Sequence, residues 1–217
     1  FRTQLQQSEN ADKPLYFAKV DVQSCFDSIP QKPLLKLLND LISAEGYTIT
    51  RYAQAKALGE CGQSEDQPKI FPKASWNWKG KARVTDQKEL FSEHAQKEAE
   101  ASLGTVFVDL EGKTHRSRAG ILALLREHIE RNIVQIGKKF YRQTTGIPQG
   151  SIVSSLLCNF FYAELESKVL SFLQDGESLL LRLIDDFLLI STNRDTATRF
   201  VQVMHRGLPE YGLRVKE

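Results

Sequence analysis

The stretch from Ser178 to Ser191 sets two adjacent carboxylates between two runs of large apolar residues. The runs 179–184 and 187–190 are typical of short buried strands, so we expect a β-hairpin with Asp185 and Asp186 at its turn. Two negative charges this close repel each other, and burial favours the neutral acid unless a cation compensates. A divalent metal ion would supply that cation, whereas a solvated turn on an ordinary hairpin is the alternative.

A third carboxylate ends another apolar segment far away in the sequence. Residues 15–20 are typical of a strand, and Asp21 follows directly. Sites that transfer phosphoryl or nucleotidyl groups hold two Mg²⁺ ions about 4 Å apart between carboxylates, and Mg²⁺ keeps positions open for water and phosphate oxygens. We therefore expect folding to bring Asp21 beside Asp185 and Asp186, although an Asp that ends a core strand is more often structural when taken alone.

Length and composition exclude several classes of protein. The 217 residues can bury a core, which favours one domain or one domain with an insertion. Three widely spaced cysteines, Cys25, Cys61 and Cys158, indicate a reducing compartment and neither a zinc site nor a disulfide framework. No run approaches 18 uncharged apolar residues, so we expect no membrane partner. The chain begins at Phe1 without Met, and we expect it to be part of something longer.

The segment from residue 47 to about 116 differs in character from the rest, and we interpret it as an insertion. Its stretch 68–88 interleaves cations with aromatic residues, a pattern that can hold a nucleic-acid backbone while bases stack on the rings. The candidate residues are Lys69, Lys73, Trp76, Trp78, Lys79, Lys81 and Arg83. A solvated loop anchored by its tryptophans is the alternative. A polar helix is expected over 86–102, so the insertion is predicted to be largely helical.

The remaining segments predict an α+β fold, a small mostly antiparallel sheet backed by helices. Apolar spacing predicts a helix from Ile121 to Ile136 that Gly137 ends. The Gly/Pro turn 144–151 leads into a long helix with Ser151 as its N-cap. Gln149 in that turn can hydrogen-bond a base or a sugar, although most turns of this composition are only turns.

Three motifs resemble those of reverse transcriptases in order and spacing. Residues 17–27 are similar to motif A, residues 146–151 to motif B′ and residues 183–187 to motif C. Within that superfamily the chain resembles the catalytic subunits of telomerases. The reasons are Leu183 before the Asp pair and about a hundred residues between the first two motifs. The phrases at 137–143 and 207–212 are also similar to telomerase segments.

The resemblance implies a polymerase palm made of residues 1–46 and 117–217, with residues 47–116 as the insertion in the fingers domain. It also implies roles for individual residues. Asp21, Asp185, Asp186 and the carbonyl of Val22 match metal ligands, and Phe26 matches the ring under the incoming sugar that excludes a 2′-hydroxyl. Gln149 and Gly150 match the nucleotide and template pocket. Primer or template contacts are implied for Gly146, Ile147, Pro148, Ser151 and Leu183.

The activity that the resemblance implies is RNA-templated DNA synthesis at a telomeric DNA 3′ end, with two Mg²⁺ ions. The implied partners are a telomerase RNA template, a single-stranded telomeric primer, deoxynucleoside triphosphates and the remaining domains of the same polypeptide, in the nucleus. The family's triphosphate-gripping residues and thumb would lie outside this sequence, so the fragment alone is expected to be inactive. The alternatives are a reverse transcriptase of a mobile element or group II intron, and a polymerase-like module that only binds nucleic acid.

Overall fold

A computed structural model of the chain describes residues 13–57, 74–85, 91–100, 102 and 104–216. The chain divides into two compact units, a first unit of residues 1–41 and 124–217 and a second unit of residues 42–123. Strands pair in antiparallel fashion in both units, and helices accompany the sheets. The predicted α+β class is confirmed.

The first unit is built on a three-stranded antiparallel sheet. Strand β8 (Asp186–Ser191) lies between β1 (Tyr16–Asp21) and β7 (Ser178–Leu183). Side chains of successive strand residues point to opposite faces, and burial alternates along β8 accordingly. One face of the sheet is therefore buried and the other is open.

The buried face carries the apolar residues of the alternation. Ala18 and Val20 of β1 lie opposite Leu189 and Phe187 of β8, and all four belong to the hydrophobic core. At roughly 25 cal/mol per Å² of buried apolar surface, this face supplies much of the free energy that fixes the strand register. A slip by one residue would turn the buried set to solvent, so the register at the end of β1 is strongly specified.

Five helices contribute residues to the same hydrophobic core. They are α1 (Cys25–Ser28), α2 (Gln31–Leu41), α4 (Arg118–Glu130), α5 (Ile152–Lys168) and α6 (Arg194–Arg206). Helix α6 packs against β1 and β8, and α5 buries Leu157, Phe161 and Leu165 in the core. Within the described residues, every helix is too short or too polar to cross a membrane.

The described residues between 47 and 116 form a sheet with one helix, so the prediction of a largely helical insertion is wrong. Strand β2 (Gly46–Ala57) lies between β3 (Ala74–Val84) and β4 (Thr105–Ser117), and α3 spans Phe91–Ala99. The reason is visible at the start of β2, where residues 47–52 read Tyr-Thr-Ile-Thr-Arg-Tyr. Aromatic and β-branched residues favour strands over helices.

A second correction concerns the helix predicted from Ile121 to Ile136. Helix α4 ends at Glu130, and a hairpin of β5 (Ile133–Ile136) and β6 (Lys139–Arg142) follows. Gly137 adopts a φ of +63° between the two strands, a conformation that glycine accepts without steric cost. Gly137 therefore serves a hairpin turn and does not end the helix.

Candidate functional site

The register of the first unit's sheet brings Asp21 and Asp186 together. The two residues are direct partners at the end of the β1–β8 pair, and directly opposed residues share a face with Cβ atoms about 5 Å apart. That face is the open one, since Val20 and Phe187 beside them are buried on the other. The Asp21 and Asp186 side chains are 43% and 44% exposed, so solvent and ligands can reach both.

Asp185 lies in the turn next to this pair. The β7–β8 hairpin closes at Leu183 and Asp186, so the turn consists of Ile184 and Asp185. The prediction that Asp186 also belongs to the turn is wrong, because pairing with Asp21 holds Asp186 in the strand. The Val22 N–H donates to the Asp185 carbonyl at 3.1 Å, which ties the segment after β1 to the turn.

The turn is strained at Ile184. Its φ of +58° lies in the left-handed region, which a β-branched residue rarely adopts and which costs on the order of 1–3 kcal/mol. The Ile184 carbonyl accepts a hydrogen bond from Arg182 Nη1 at 3.3 Å. The surroundings therefore hold a conformation that the residue would not choose by itself.

Arg182 is a site residue that the sequence analysis missed. Its guanidinium forms an ion pair with Glu166, donates to the Asn159 side chain at 2.8 Å, and lies 5.8 Å from the ring centroids of Tyr162 and Phe187. These contacts anchor β7 and its turn to α5. The available signal was a lone cation within the apolar run 179–184, since a charge in a half-buried strand requires a partner.

The chemistry of the site fits an oxygen-bound divalent cation. Lys19 Nζ lies 3.1 Å from Asp186 Oδ1, and Lys216 Nζ lies 3.9 Å from Asp21 Oδ2. Both ammonium groups are exposed, and such surface pairs contribute little free energy, so a metal ion could replace them. Carboxylate oxygens are the ligands that Mg²⁺ prefers. In the described part of the chain, no three His, Cys, Asp or Glu side chains form a ready-made metal cluster.

Val22 is buried beside the carboxylates. It forms an antiparallel bridge with Val215, flanked by hydrogen bonds from Gln23 N–H to the Arg214 carbonyl at 2.8 Å and from Lys216 N–H to the Asp21 carbonyl at 3.1 Å. The C-terminal segment thus pairs with the residues that carry Asp21. This pairing fixes the backbone on which the predicted Val22 ligand would depend.

Two buried thiols and a tyrosine lie beneath the site. A hydrogen bond with Cys158, burial and the nearby charge of Asp185 hold the pKa of the Cys25 thiol far above its usual value. Burial, together with the nearby charge of Asp185, raises the pKa of Tyr162. The Cys25 thiol and the Tyr162 hydroxyl therefore stay protonated at neutral pH and supply no nucleophile, whereas the hydrogen bond with Cys25 lowers the pKa of the Cys158 thiol.

The motif B′ turn is held against α1, which carries Phe26. The N–H of Gly146 donates to the Ile29 carbonyl at 2.9 Å, and the N–H of Ile147 donates to the Phe26 carbonyl at 2.7 Å. Gln149 Nε2 donates to Asp27 Oδ2 at 2.9 Å. Two residues assigned to nucleotide contacts from different motifs, Phe26 and Gln149, therefore lie on elements that are bonded to each other.

Exposure separates the motif B′ residues into two groups. Gly146, Ile147 and Pro148 are buried and form the inner part of the turn, whereas Gln149 and Gly150 are exposed. Ser151 is half-buried and occupies the N-cap position of α5, as predicted, but its side chain makes no capping hydrogen bond to the helix. Leu183 is 74% exposed at the tip of the hairpin, which leaves its side chain available for contact with another molecule.

The described aromatic and cationic candidates of β3 lie on opposite faces of the strand. Trp76 and Trp78 are exposed on one face of β3 with ring centroids 6.0 Å apart. Lys79, Lys81 and Arg83 stand at odd-numbered positions of β3 and the tryptophans at even-numbered ones, so the cations belong to the opposite face. On that face Lys81 contacts His94 of α3. Lys69 and Lys73 lie outside the described residues. Among the residues that the structure describes, the tryptophans and cations of β3 therefore do not combine into one stacking and cationic surface.

The second half of the chain matches a known protein family. Residues 107–217, about half of the chain, match the family model described as "Reverse transcriptase (RNA-dependent DNA polymerase)". The matched part includes motifs B′ and C, with Asp185 and Asp186. Reverse transcriptases use divalent metal ions in general, in agreement with the carboxylate donors of this site.

Curated relatives extend the match over nearly the whole chain. The telomerase reverse transcriptase of Takifugu rubripes is 32% identical over 208 residues, which cover 93% of this chain and 18% of the relative. The telomerase reverse transcriptase of Arabidopsis thaliana is 32% identical over 226 residues, with 94% and 19% covered. The chain spans about a fifth of the length of these relatives.

Solved structures agree at the level of the fold. Apo telomerase from Candida tropicalis superposes with a TM-score of 0.62 at 23% identity, covering 99% of this chain and 29% of that one. Telomerase from Candida albicans in complex with a TWJ fragment of telomeric RNA gives 0.61 at 20% identity, with 99% and 28% covered. The predicted resemblance to telomerase reverse transcriptases is confirmed, and the chain belongs to the reverse transcriptase (RNA-dependent DNA polymerase) family.

Proposed function

We propose that this chain forms the palm and the fingers insertion of a telomerase reverse transcriptase, which extends telomeric DNA 3′ ends by copying an RNA template. Residues 1–46 and 117–217 would form the palm, and residues 47–116 the insertion. The observation that carries the proposal is the pairing of Asp21 with Asp186 beside the turn that contains Asp185. The telomerase relatives favour this function over that of a mobile-element or intron reverse transcriptase.

The proposed cofactor is Mg²⁺, two ions, held by Asp21, Asp185, Asp186 and the carbonyl of Val22. When bound, the ions supply the charge that lowers the pKa of a primer 3′-hydroxyl and neutralises the triphosphate. The chain's own part is to place Asp21, Asp185 and Asp186 at the same end of the sheet, where carboxylates that approach one another favour cation binding. The half-exposed pair Asp21 and Asp186 also leaves room for substrate oxygens.

Phe26 and Gln149 are proposed to select and orient the nucleotide. The Phe26 ring would exclude a ribose 2′-hydroxyl by steric contact. Helix α1 fixes the position of this ring, because the Phe26 carbonyl accepts a hydrogen bond from the motif B′ turn. The carboxylate of Asp27 can only accept a hydrogen bond, so the nitrogen of the Gln149 amide must face it. The Gln149 amide oxygen is then directed away from Asp27, available to accept from a base or sugar.

The partners follow from this function. They are a telomerase RNA template, a single-stranded telomeric DNA primer, deoxynucleoside triphosphates and the remaining domains of the same polypeptide, acting in the nucleus at telomeres. Leu183, exposed at the hairpin tip, is proposed to contact the primer end. Gly150 and Ser151 are proposed to border the template, and the buried Gly146, Ile147 and Pro148 would contribute through the shape of their turn.

Primer extension by the complete protein with its RNA tests the proposal. Asp21→Ala or Asp185→Ala should reduce extension by at least about a thousandfold with folding intact, because charge stabilisation at the reacting centre is lost. Asp40→Ala, an exposed aspartate on α2, is the matched control and should extend normally. Near-normal extension by either site variant would overturn the metal assignment, and absence of repeat addition by the wild type would remove the telomerase assignment.

A further inference from the structure

We propose that Lys19 is a positioning residue that exchanges between the metal-binding carboxylates and a phosphate of the primer. The inference rests on the function proposed above and adds a residue that links metal binding to primer binding. Lys19 belongs to β1, two residues before Asp21. Ala18 and Val20 on either side of it are buried, so Lys19 points to the open face that also carries Asp21 and Asp186.

Lys19 is the single cation that the three strands direct to the open face. Within β1, β7 and β8, all of which lie in the described residues, the only two cations are Lys19 and Arg182. Arg182 lies opposite the buried Phe187, so its side chain belongs to the buried face. The ammonium of Lys19 lies 3.1 Å from Asp186 Oδ1. The positive charge that the strands give to the open face is therefore placed at the carboxylates.

The pair of Lys19 and Asp186 is held by charge and not by packing. The two side chains are 68% and 44% exposed, and exposed ion pairs cost little to separate. An oxygen that lies 3.1 Å from an ammonium group cannot also bind a divalent ion without repulsion between the two cations. Lys19 therefore has to leave Asp186 when this carboxylate takes a metal ion, and its charge then attracts another anion.

The direction of β1 indicates which anion that is. The strand runs from Lys19 to Asp21 and leads on to α1, which carries Phe26, the residue proposed to contact the incoming nucleotide. Lys19 thus stands on the other side of Asp21 along the chain, about 6.6 Å away at the usual rise of a strand. A primer whose 3′-hydroxyl lies at the carboxylates extends away from the incoming nucleotide. The phosphate behind its last nucleotide therefore comes within reach of the Lys19 side chain.

Lys19 then couples the two binding events. Its ammonium opposes metal binding at Asp186 while no phosphate is near, and a primer phosphate removes that opposition by taking over the charge. Coupling of this kind is reciprocal, and couplings between two ligand sites typically amount to about 5–150-fold in affinity. Primer should therefore strengthen metal binding, and metal should strengthen primer binding, through one side chain.

Mn²⁺ binding to the 217-residue chain, followed by the EPR signal of free Mn²⁺, tests the first half of the exchange. Lys19→Gln should bind Mn²⁺ about fivefold more tightly than the wild type, at the low end of such couplings, because the competing charge is gone. Lys36→Gln removes an exposed charge from α2 of the same unit and should bind Mn²⁺ as the wild type does. Asp21→Asn identifies the part of the binding that belongs to the carboxylates.

Primer affinity of the complete protein with its RNA tests the second half. Ca²⁺ replaces Mg²⁺, so that binding is measured without extension, and each primer carries one neutral methylphosphonate linkage, either behind the last nucleotide or farther upstream. Neutralising the last linkage should weaken binding by the wild type and by Lys36→Gln about fivefold. In Lys19→Gln it should weaken binding by less than about twofold, because the cation that contacts this phosphate is already absent.

Each outcome decides the proposal. It is overturned if Lys19→Gln binds Mn²⁺ like the wild type, if the last linkage matters equally to the wild type and to Lys19→Gln, or if only the upstream linkage matters. A failure of the proposed function looks different. In that case the wild type binds Mn²⁺ no more tightly than Asp21→Asn does, and the metal assignment itself falls together with the exchange.

Discussion

Gly146 and Gly150 stand in the same turn with nearly the same backbone conformation, φ of +80° and +81°, but their surroundings differ. A Cβ added to Gly146 would lie 2.5 Å from the Phe26 carbonyl oxygen and 2.6 Å from the Asp27 Cα, whereas one added to Gly150 would meet nothing within 4 Å. Residue 146 is therefore where motif B′ touches the backbone of motif A. The pair separates the cost of a left-handed backbone from the cost of close packing.

The first prediction compares alanine at these two glycines. Gly150→Ala should lower the free energy of unfolding by about 1 kcal/mol, the cost of a left-handed backbone. Gly146→Ala should lower it by about 3 kcal/mol, because the added carbon must also push α1 away. Urea unfolding of the 217-residue chain measures both values. Equal losses would show that the contact between the turn and α1 is not tight.

The second prediction concerns Phe26, which is half-buried against the core. In the complete protein, Phe26→Ala should raise ribonucleotide incorporation relative to deoxynucleotide incorporation by about tenfold or more, since a small side chain leaves space for the 2′-hydroxyl. Phe140→Ala, at an exposed position of β6, is the control. If sugar discrimination stays unchanged in the Phe26 variant, this residue has no part in it.

At the scale of elements, the β7–β8 hairpin depends on α5 through Arg182. The guanidinium reaches Asn159 and Glu166 of α5 and the carbonyl of Ile184, so one side chain links the helix, the strand and the strained turn. A lysine has neither the planar fork nor the number of donors for this arrangement. The position of Asp185 therefore depends on a contact made outside the motif.

The third prediction follows from that contact. Arg182→Gln should lower the free energy of unfolding by about 2–4 kcal/mol, because Glu166 loses its partner in a partly buried setting, and Arg182→Lys should restore only part of it. Lys168→Gln, which breaks an exposed ion pair with Glu164 on the same helix, should change little. Thermal and urea unfolding of the three variants, with matched extension assays, would reject the anchoring role if Arg182→Gln behaved like the control.

Strands of the first unit's sheet could be predicted from local apolar runs. Strands that depend on pairing with residues far away in the sequence could not. Strand β1 and the hairpin were visible because apolar runs end abruptly at Asp21 and Asp185. The second unit's sheet was missed because its strands pair over long separations, such as Lys56 with Thr105, and a polar strand carries a weak local signal. Ile133 and Ile136 fit a helical spacing equally well, and only pairing with β6 decides between the two.

At the scale of the whole molecule, the order of motifs revealed the family because the fold requires it. Asp21 and Asp186 lie far apart in sequence and opposite each other in the sheet. The fold therefore requires one aspartate in motif A and another in motif C, in this order. The role of the second unit was not readable in the same way. Its tryptophans and cations stand close together in the sequence, but β3 directs them to opposite faces because they occupy even-numbered and odd-numbered positions.

The most direct test of the central claim is affinity cleavage of the 217-residue chain by Fe²⁺, which occupies Mg²⁺ sites and with ascorbate and peroxide cuts the backbone beside itself. We predict two cuts, near Asp21 and near Asp185 and Asp186, both suppressed by excess Mg²⁺ and both lost in Asp21→Asn, because a shared ion requires carboxylates from both strands. A single cut that persists in Asp21→Asn, or no cut at either strand end, would contradict the account.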